Sequence, residues 1–464
     1  MAEVAEETMN IENVVHPTAE KTYEEWHRSI LQAKSQPSCT TQIHKVPLIL
    51  KENKDHGKYY VPKVVSLGPY HYGNPRLESV QVIKPLFTKK LLKKNPGEDE
   101  DEHLSESIDR LYKVLDQMVD TLRGYYEDVD TRLSNDEFTR MMLLDGCFIL
   151  YFIKNIYLNE VTDSLGLKSH HIMFVQEDMF LLENQIPYRV LTQVMEFVPD
   201  EDWNFKIKRF IDDNILATER QKRKQENPLK SISCRPIPGT TNHLLELLQT
   251  RLTKDSTFDP HPNDRYTFRN VNELLEVGIR FKPSKTRSLS HIKFTKYGFC
   301  ANLELPPITI DDATKPMLLN LVAYEMCSND PNASWVTSYI CLLDSLIDHS
   351  EDVKVLRKAG ILDNRLGSDD EVAQLFNEIG TDLVPNNLAY STVRFGIQQH
   401  YDSKRNTWMS QLKHEYIKTP WAFVALLVGI VGLFLSSVQA YFTVWGVPSH
   451  CENLCLSMKM NHRL

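Results

Sequence analysis

The sequence predicts a mainly α-helical protein with minor β content, a large helical cytosolic domain followed by one C-terminal transmembrane helix. Three observations predict it. Helix-patterned segments follow one another through the chain with few extended runs between them. Two segments, Phe138 to Tyr157 and Ile172 to Val198, are strongly apolar, and the run from Cys147 to Ile153 is apolar on every face, as a helix inside a core is. Finally, no Asp, Glu, Lys, Arg or His occurs from Trp421 to Trp445. At about 1.5 Å rise per residue that stretch exceeds the roughly 30 Å hydrocarbon core of a bilayer.

Residues 1–40 read as a polar, mobile N-terminal segment with a short helix from Tyr23 to Ala33. The domain proper is expected over 41–418, opening on a strand or extended run from Ile43 to Leu50. Ser66 to Gly73 is dense in turn residues and aromatics. Two roles fit it: a recognition loop presenting Tyr70, His71 and Tyr72, or a turn whose Gly and Pro fix the backbone while the rings pack inward. The acidic run Glu98 to Glu102 reads as a solvated linker before a helix at about Leu104 to Tyr126. The basic stretch from Arg220 to Lys224 reads as a solvated loop.

Helices are expected at Asn242 to Thr250 and Val271 to Val277, then strands at Ile292 to Phe294 and Leu303 to Ile310. Asp311 or Asp312 is placed to cap a helix reaching Cys327. Further helices are predicted at Ser334 to Asp348, Glu351 to Lys358 and Asp369 to Ile379. Tyr390, Val393, Ile397, Tyr401, Trp408, Leu412 and Tyr416 then form one helical stripe leading to the membrane.

Composition narrows the function. The 464 residues carry 53 Lys and Arg against 62 Asp and Glu, a net charge of −9 that argues against a general nucleic-acid partner. Of the eight cysteines, the first six are scattered and read as reduced cytosolic thiols, whereas Cys451 and Cys455 follow the span and read either as a local disulfide or as free thiols. Met1 to Glu20 is acidic and has no secretory pattern. Before the span stand Lys404, Arg405, Lys413 and Lys418, and after it only Lys459 and Arg463. This bias predicts a cytosolic N-terminus, a span over 419–445 and a short exoplasmic tail at 446–464. Thr419 and Pro420 supply an N-cap and first helical residue. On this topology the sequon Asn332-Ala333-Ser334 carries no glycan. Ala422, Ala425, Gly429, Gly432, Ser436 and Gln439 stack along one face of the span, a packing face for a membrane partner or a second copy of the chain.

Catalytic patterns are missing where they would be expected. The 17 glycines form neither GxGxxG nor GxxxxGK[ST], and GxSxG and HExxH do not occur. No cofactor and no metal site is predicted. Asp178 and Glu183, with Asp145 in the preceding apolar helix, are the strongest acid and base candidates because carboxylates in apolar surroundings have raised pKa values. Five residues at about 100° each set Asp178 and Glu183 some 140° apart on a helix, so they do not converge. The favoured reading is buried polar groups satisfied by Arg140, Arg189 or backbone.

Several motifs carry a resemblance. Lys45-Val46-Pro47, Val65 to Gly73, Met141 to Leu150 and Asp178 to Pro187 with Leu182-Glu183-Asn184-Gln185 at its centre come first. Glu273 to Phe281, Leu305 to Asp312, Asn320 to Glu325 and Leu375 to Asn377 follow in order. From Ile43 to Tyr441 the chain resembles the plant family known as domain of unknown function 247, or uncharacterised protein family 0481. Lys84-Pro85 stands where the family often has Lys-Trp, and Met326 where Gln is frequent. The resemblance implies a plant membrane protein with no assigned enzyme activity, some grass relatives being implicated in self-incompatibility. The expected function is therefore non-enzymatic: recognition or signalling through protein partners at a membrane, most simply the plasma membrane. A membrane-tethered enzyme using the buried carboxylates and a tail-anchored trafficking adaptor are the alternatives.

Overall fold

The computed structural model describes residues 27, 28, 31, 42–53, 55–93, 100–128, 133–158, 162, 165–199, 201–214, 241–253, 269–328, 334–381, 383–403 and 420–445. The chain divides into two compact units, Met1–Thr40 and Thr41–Leu464. Within the first, residues 27, 28 and 31 are helical. The rest of the helix expected from Tyr23 to Ala33 lies outside the described residues. The structure is mainly helical, 62% helix against 8% strand, and everything below concerns the second unit.

Its centre is a long helix whose sequence specifies both its start and its burial. We label the main helices α1 (Lys84–Leu92), α2 (Glu100–Asp116), α3 (Asn135–Asn155), α4 (Ser169–Asp178), α5 (Tyr188–Glu196), α6 (Trp203–Asn214) and α7 (Leu244–Leu252). Ser134 and Glu137 form a reciprocal capping box at the start of α3, and Asp136 and Glu137 complement the helix dipole there. From Met141 to Ile153 nearly every side chain of α3 is buried. Phe87 of α1 stacks on Phe148 at 5.3 Å and meets Tyr151 at 4.6 Å, while Phe210 of α6 meets Phe152 edge-on at 6.4 Å. Such aromatic pairs add to the area they remove from water. The helix expected to run unbroken to Tyr126 instead ends at Asp116 and resumes as a short turn at Val119–Arg123.

The apolar run from Ile172 to Val198 does not make one helix. It splits into α4, a 3₁₀ turn at Leu182–Asn184 and α5. Leu181 and Gln185 are extended and Pro187 caps α5. The side-chain amides of Asn184 and Gln185 reach back to the Asp178, Met179 and Leu181 carbonyls at 2.8–2.9 Å. Those bonds replace the ones a continuing helix would have made.

The second half adds two small sheets. Strands β1 (Ile279–Pro283), β2 (Lys293–Tyr297) and β3 (Cys300–Leu305) lie in the order β1-β3-β2, with β1 parallel and β2 antiparallel to β3. Gly298, at φ +60, opens the two-residue hairpin loop between β2 and β3. A parallel pair, β4 (Ile308–Ile310) with β5 (Leu362–Asn364), is joined through α8 (Thr314–Cys327), α9 (Trp335–Leu346) and α10 (Ser350–Lys358). The chain continues as α11 (Asp369–Gly380) and α12 (Ser391–Tyr401). The extended run at Ile43 is a single bridge to Tyr126, and Leu48–Lys51 is a helical turn. Asp311 accepts from the Thr314 hydroxyl at 2.9 Å, but α8 itself is entered through Ala313.

The last helix, α13 (Pro420–Trp445), has 26 residues, or about 39 Å. Proline takes its first position; Thr419 lies outside the described residues. The window Leu427–Trp445 is wholly unburied. The Ser437 and Thr443 hydroxyls bond the Leu433 and Gln439 carbonyls of the same helix, so these small polar groups need no water. Ala425, Gly429, Gly432, Ser436 and Gln439 are exposed, and nothing approaches within 4 Å of a Cβ placed on Gly429 or Gly432. The Ala422 side chain, the stripe beyond Tyr401, the basic residues flanking the span, the basic loop, Asn332 and the tail cysteines lie outside the described residues.

Candidate functional site

The motif residues converge on the segment from Ile43 to Tyr70. Besides the bridge at Ile43, its described residues form only a helical turn at Leu48–Lys51 and a 3₁₀ turn at Gly57–Tyr60, so that the amides beyond Tyr60 have no regular structure to hold them. Backbone groups buried without partners are costly, so polar side chains from the helices take them up. Asp178 ends α4. Its Oδ1 accepts from the Lys63 amide at 2.8 Å, and its Oδ2 from those of Val64 and Val65 at 2.8 and 2.9 Å. Asn184 accepts from Leu67 N at 2.8 Å and donates to Val65 O at 3.1 Å. Asp145, in the middle of α3, accepts from Gly68 N at 2.8 Å and pairs with the Lys84 ammonium, which also donates to Ser66 O at 2.5 Å.

Further carboxylates and amides extend the network. Glu183 accepts from Val46 N at 2.9 Å and from the Lys51 ammonium at 2.9–3.0 Å. Asn320 of α8 accepts from Leu182 N and donates to Tyr59 O, both at 2.9 Å. Glu325 of α8 takes the Val336 and Thr337 amides at 2.9 and 2.8 Å. It thereby caps the first turn of α9, where a negative charge is favoured.

Electrostatics follow from burial. Burial pushes the Asp178 carboxyl up to about 6, against the pull of its three amides. Burial likewise raises Asp145 and lowers Lys84, and their mutual contact opposes both changes. Glu325 is raised by burial while Thr337, Val336 and Gln249 draw it down. His243, fully enclosed, is lowered to about 3.

Asp145, Asp178 and Glu183 are thus held apart on different partners. Of the partners expected for them, Arg140, Arg189 or backbone, the arginines do not serve: Arg140 pairs with Asp136 on the outer face of α3, and Arg189 is exposed. Lysines and backbone amides take that role. In the Ser66–Gly73 loop the three candidate side chains separate. The Tyr70 hydroxyl lies 2.9 Å from Ile43 O and 2.8 Å from Glu127 O and accepts from Glu127 N, so that ring points inward. His71 Nε2 is buried 3.7 Å from Glu183 Oε2. Burial lowers that imidazole, with Glu183 pulling it up and Lys51 down. Tyr72 is exposed.

Of the network residues, Lys51 was not singled out in the sequence, while Lys84, Asn184, Gln185, Asn320 and Glu325 stood there as motif residues without an assigned partner. A lysine beginning an apolar helix, as Lys84 does, was the available signal. Gly68 shows how tight the arrangement is. It sits at φ +71, and a Cβ there would stand 2.6 Å from Gln185 O, whereas Gly73 at φ +75 has open space around it. Gly68→Ala should therefore destabilise the protein by about 2–4 kcal/mol and Gly73→Ala by about 1 kcal/mol. Thermal unfolding of the two variants checks the difference; equal losses would contradict the packing at Gly68.

Concave surface lies elsewhere. Two adjoining shallow clefts of about 670 and 680 Å³ share Asp348, His349 and Asn377, and include none of Asp145, Asp178 and Glu183. Among the described residues no group of three or more His, Cys, Asp and Glu side chains is arranged to hold a metal.

The fold and network define a mainly helical protein in which motifs distant in sequence lock one irregular segment onto a helical core, with one helix of membrane-spanning length. The chain belongs to the plant family DUF247, described as plant protein of unknown function, which it matches over residues 43–435. It is similar to UPF0481 protein At3g47200 of Arabidopsis thaliana, 27% identical over 418 residues that cover 82% of each chain. It is also similar to the putative UPF0481 protein At3g02645 of the same plant, 23% identical over 496 aligned positions covering 88% of this chain and 90% of the relative. No solved structure matches it.

Proposed function

We propose that this is a single-pass membrane protein whose helical body lies in the cytosol, at the plasma membrane, and acts without catalysis by engaging protein partners. The observation that carries the reading is α13: 26 residues without a charged side chain, unburied over Leu427–Trp445. In water such a surface would be strongly unfavourable, and a bilayer removes it. Four basic residues before the span against two after it favour a cytosolic body. The non-catalytic part rests on the carboxylates, whose oxygens accept from amides and lysines inside the protein and so do not face a shared reactive position.

Topology is tested with an acceptor sequon appended after residue 464. A glycan on that tag and none on Asn332, with the chain retained in the membrane after alkaline carbonate, is expected. Glycan on Asn332 or release by carbonate would overturn the reading. Proximity labelling by the anchored chain should recover reproducible protein neighbours, and a purified body that turns over a metabolite without any such neighbour would defeat the non-catalytic reading.

A further inference from the structure

The segment that builds the three-stranded sheet is locally basic in an acidic chain. From Val277 to Leu303 there are six cations, Arg280, Lys282, Lys285, Arg287, Lys293 and Lys296, and no Asp or Glu, in a protein of net charge −9. Register sorts them. Arg280 pairs with Asn302 and Asn302 with Thr295; Lys282 pairs with Glu304 and Glu304 with Lys293; Tyr297 pairs with Cys300. Paired residues share a face, so Arg280, Lys282, Lys293 and Tyr297 lie on one side of the sheet with the half-buried Glu304 as its one carboxylate. The other side, Ile279, Phe281, Ala301, Leu303 and Leu305, is buried in the core. At the hairpin tip Tyr297 is 59% and Phe299 38% exposed.

Position gives this face its occupant. β2 is seated on α12: Lys296 bonds Gln399 at 2.5 Å, the Phe294 ring meets His400 at 6.1 Å, and a Cβ on Gly396 would touch Phe294 at 2.6 Å. From the end of α12, only the 18 residues between Tyr401 and Pro420 lead to the apolar helix. That tether spans at most about 60 Å when fully extended, so the bilayer reaches the sheet at a high effective concentration. Exposed aromatic rings beside Lys and Arg are the chemistry that settles at an anionic headgroup layer.

We propose that the outer face of the β1–β3–β2 sheet, with the Tyr297–Phe299 tip, rests on an anionic bilayer surface, the same bilayer that α13 spans. The inference builds on the membrane reading above. The test is hydrogen–deuterium exchange on the full-length chain in nanodiscs of phosphatidylcholine alone or with phosphatidylserine, followed over residues 297–300. One Lys or Arg near an anionic surface is worth about a fivefold change in occupancy, so exchange should slow by at least about fivefold in the anionic disc. The slowing should vanish in Arg280→Gln/Lys282→Gln/Lys293→Gln, with exchange of Asn135–Asn155 unchanged as the sign of an intact fold. Equal exchange in both lipids, or slowing that survives neutralisation, overturns the contact. So does slowing produced by an added oligonucleotide and not by anionic lipid. Release from vesicles by alkaline carbonate overturns the spanning reading and this one with it, whereas retention with equal exchange overturns the sheet contact alone.

Discussion

Asp178→Ala should lower the stability of the protein by about 3–6 kcal/mol, because it leaves three amides of an irregular segment without their acceptor. Val64 and Val65 are buried, so water does not readily replace the carboxylate there. Denaturant unfolding of the full chain in detergent measures the loss; a change under about 1 kcal/mol would mean that the segment is held by something else. The same carboxyl sets a pH dependence. Folded, it titrates near 6; unfolded, near 3.9. Between those values the folded state keeps a proton that the unfolded state has lost. Its contribution is complete below about 4 and disappears as pH rises through 6, a span of roughly 2–3 kcal/mol. Wild type compared with Asp178→Asn should show that slope over pH 4–6, and a slope of opposite sign would refute it.

Asp145→Ala should cost about 3–5 kcal/mol, since it strands the Lys84 ammonium in the core and removes the acceptor of Gly68 N. Lys84→Met should cost a similar amount by leaving the carboxylate unpaired. The combination Lys84→Met/Asp145→Ala should lose at least about 2 kcal/mol less than the two single losses added together, since neither charge is then left alone. Strict additivity in urea unfolding would show that the pair is not coupled. By contrast Arg140→Ala, which breaks the exposed pair with Asp136, should stay within about 0.5 kcal/mol of wild type.

The helices of this fold were largely legible because their apolar periodicity and caps are local. Glu351 to Lys358 and Asp369 to Ile379, expected from that pattern, lie where α10 and α11 form, each behind a local N-cap. The strands β1 and β5 were not legible: Ile279-Arg280-Phe281 alternates for only three residues and Leu362–Asn364 is as short, and each exists because of a distant partner. The break at Leu182-Glu183-Asn184-Gln185 was hidden for a related reason. The run around it is apolar, and only the three-dimensional positions of the carbonyls show that Asn184 and Gln185 end one helix and Pro187 begins the next. The candidate carboxylates were identifiable as buried, and backbone as a partner, but the lysines beside them were not. Arg140 is close in sequence and points outward, whereas Lys84 is 61 positions from Asp145 and adjoins it. The apolar helix α13 is the opposite case, legible from composition alone.

The polar staple also dictates an order of events on the ribosome. Residues 63–65 leave the exit tunnel 113–115 positions before Asp178, and Tyr59 leaves it 261 positions before Asn320. At about 5–20 residues per second the first pairing waits roughly 6–23 seconds and the second roughly 13–52 seconds. Until Asp178 is made, the amides of Val64 and Val65 are without their acceptor. Newly made chains therefore complete the staple only when α8 has emerged, 93 positions before the C-terminal helix begins.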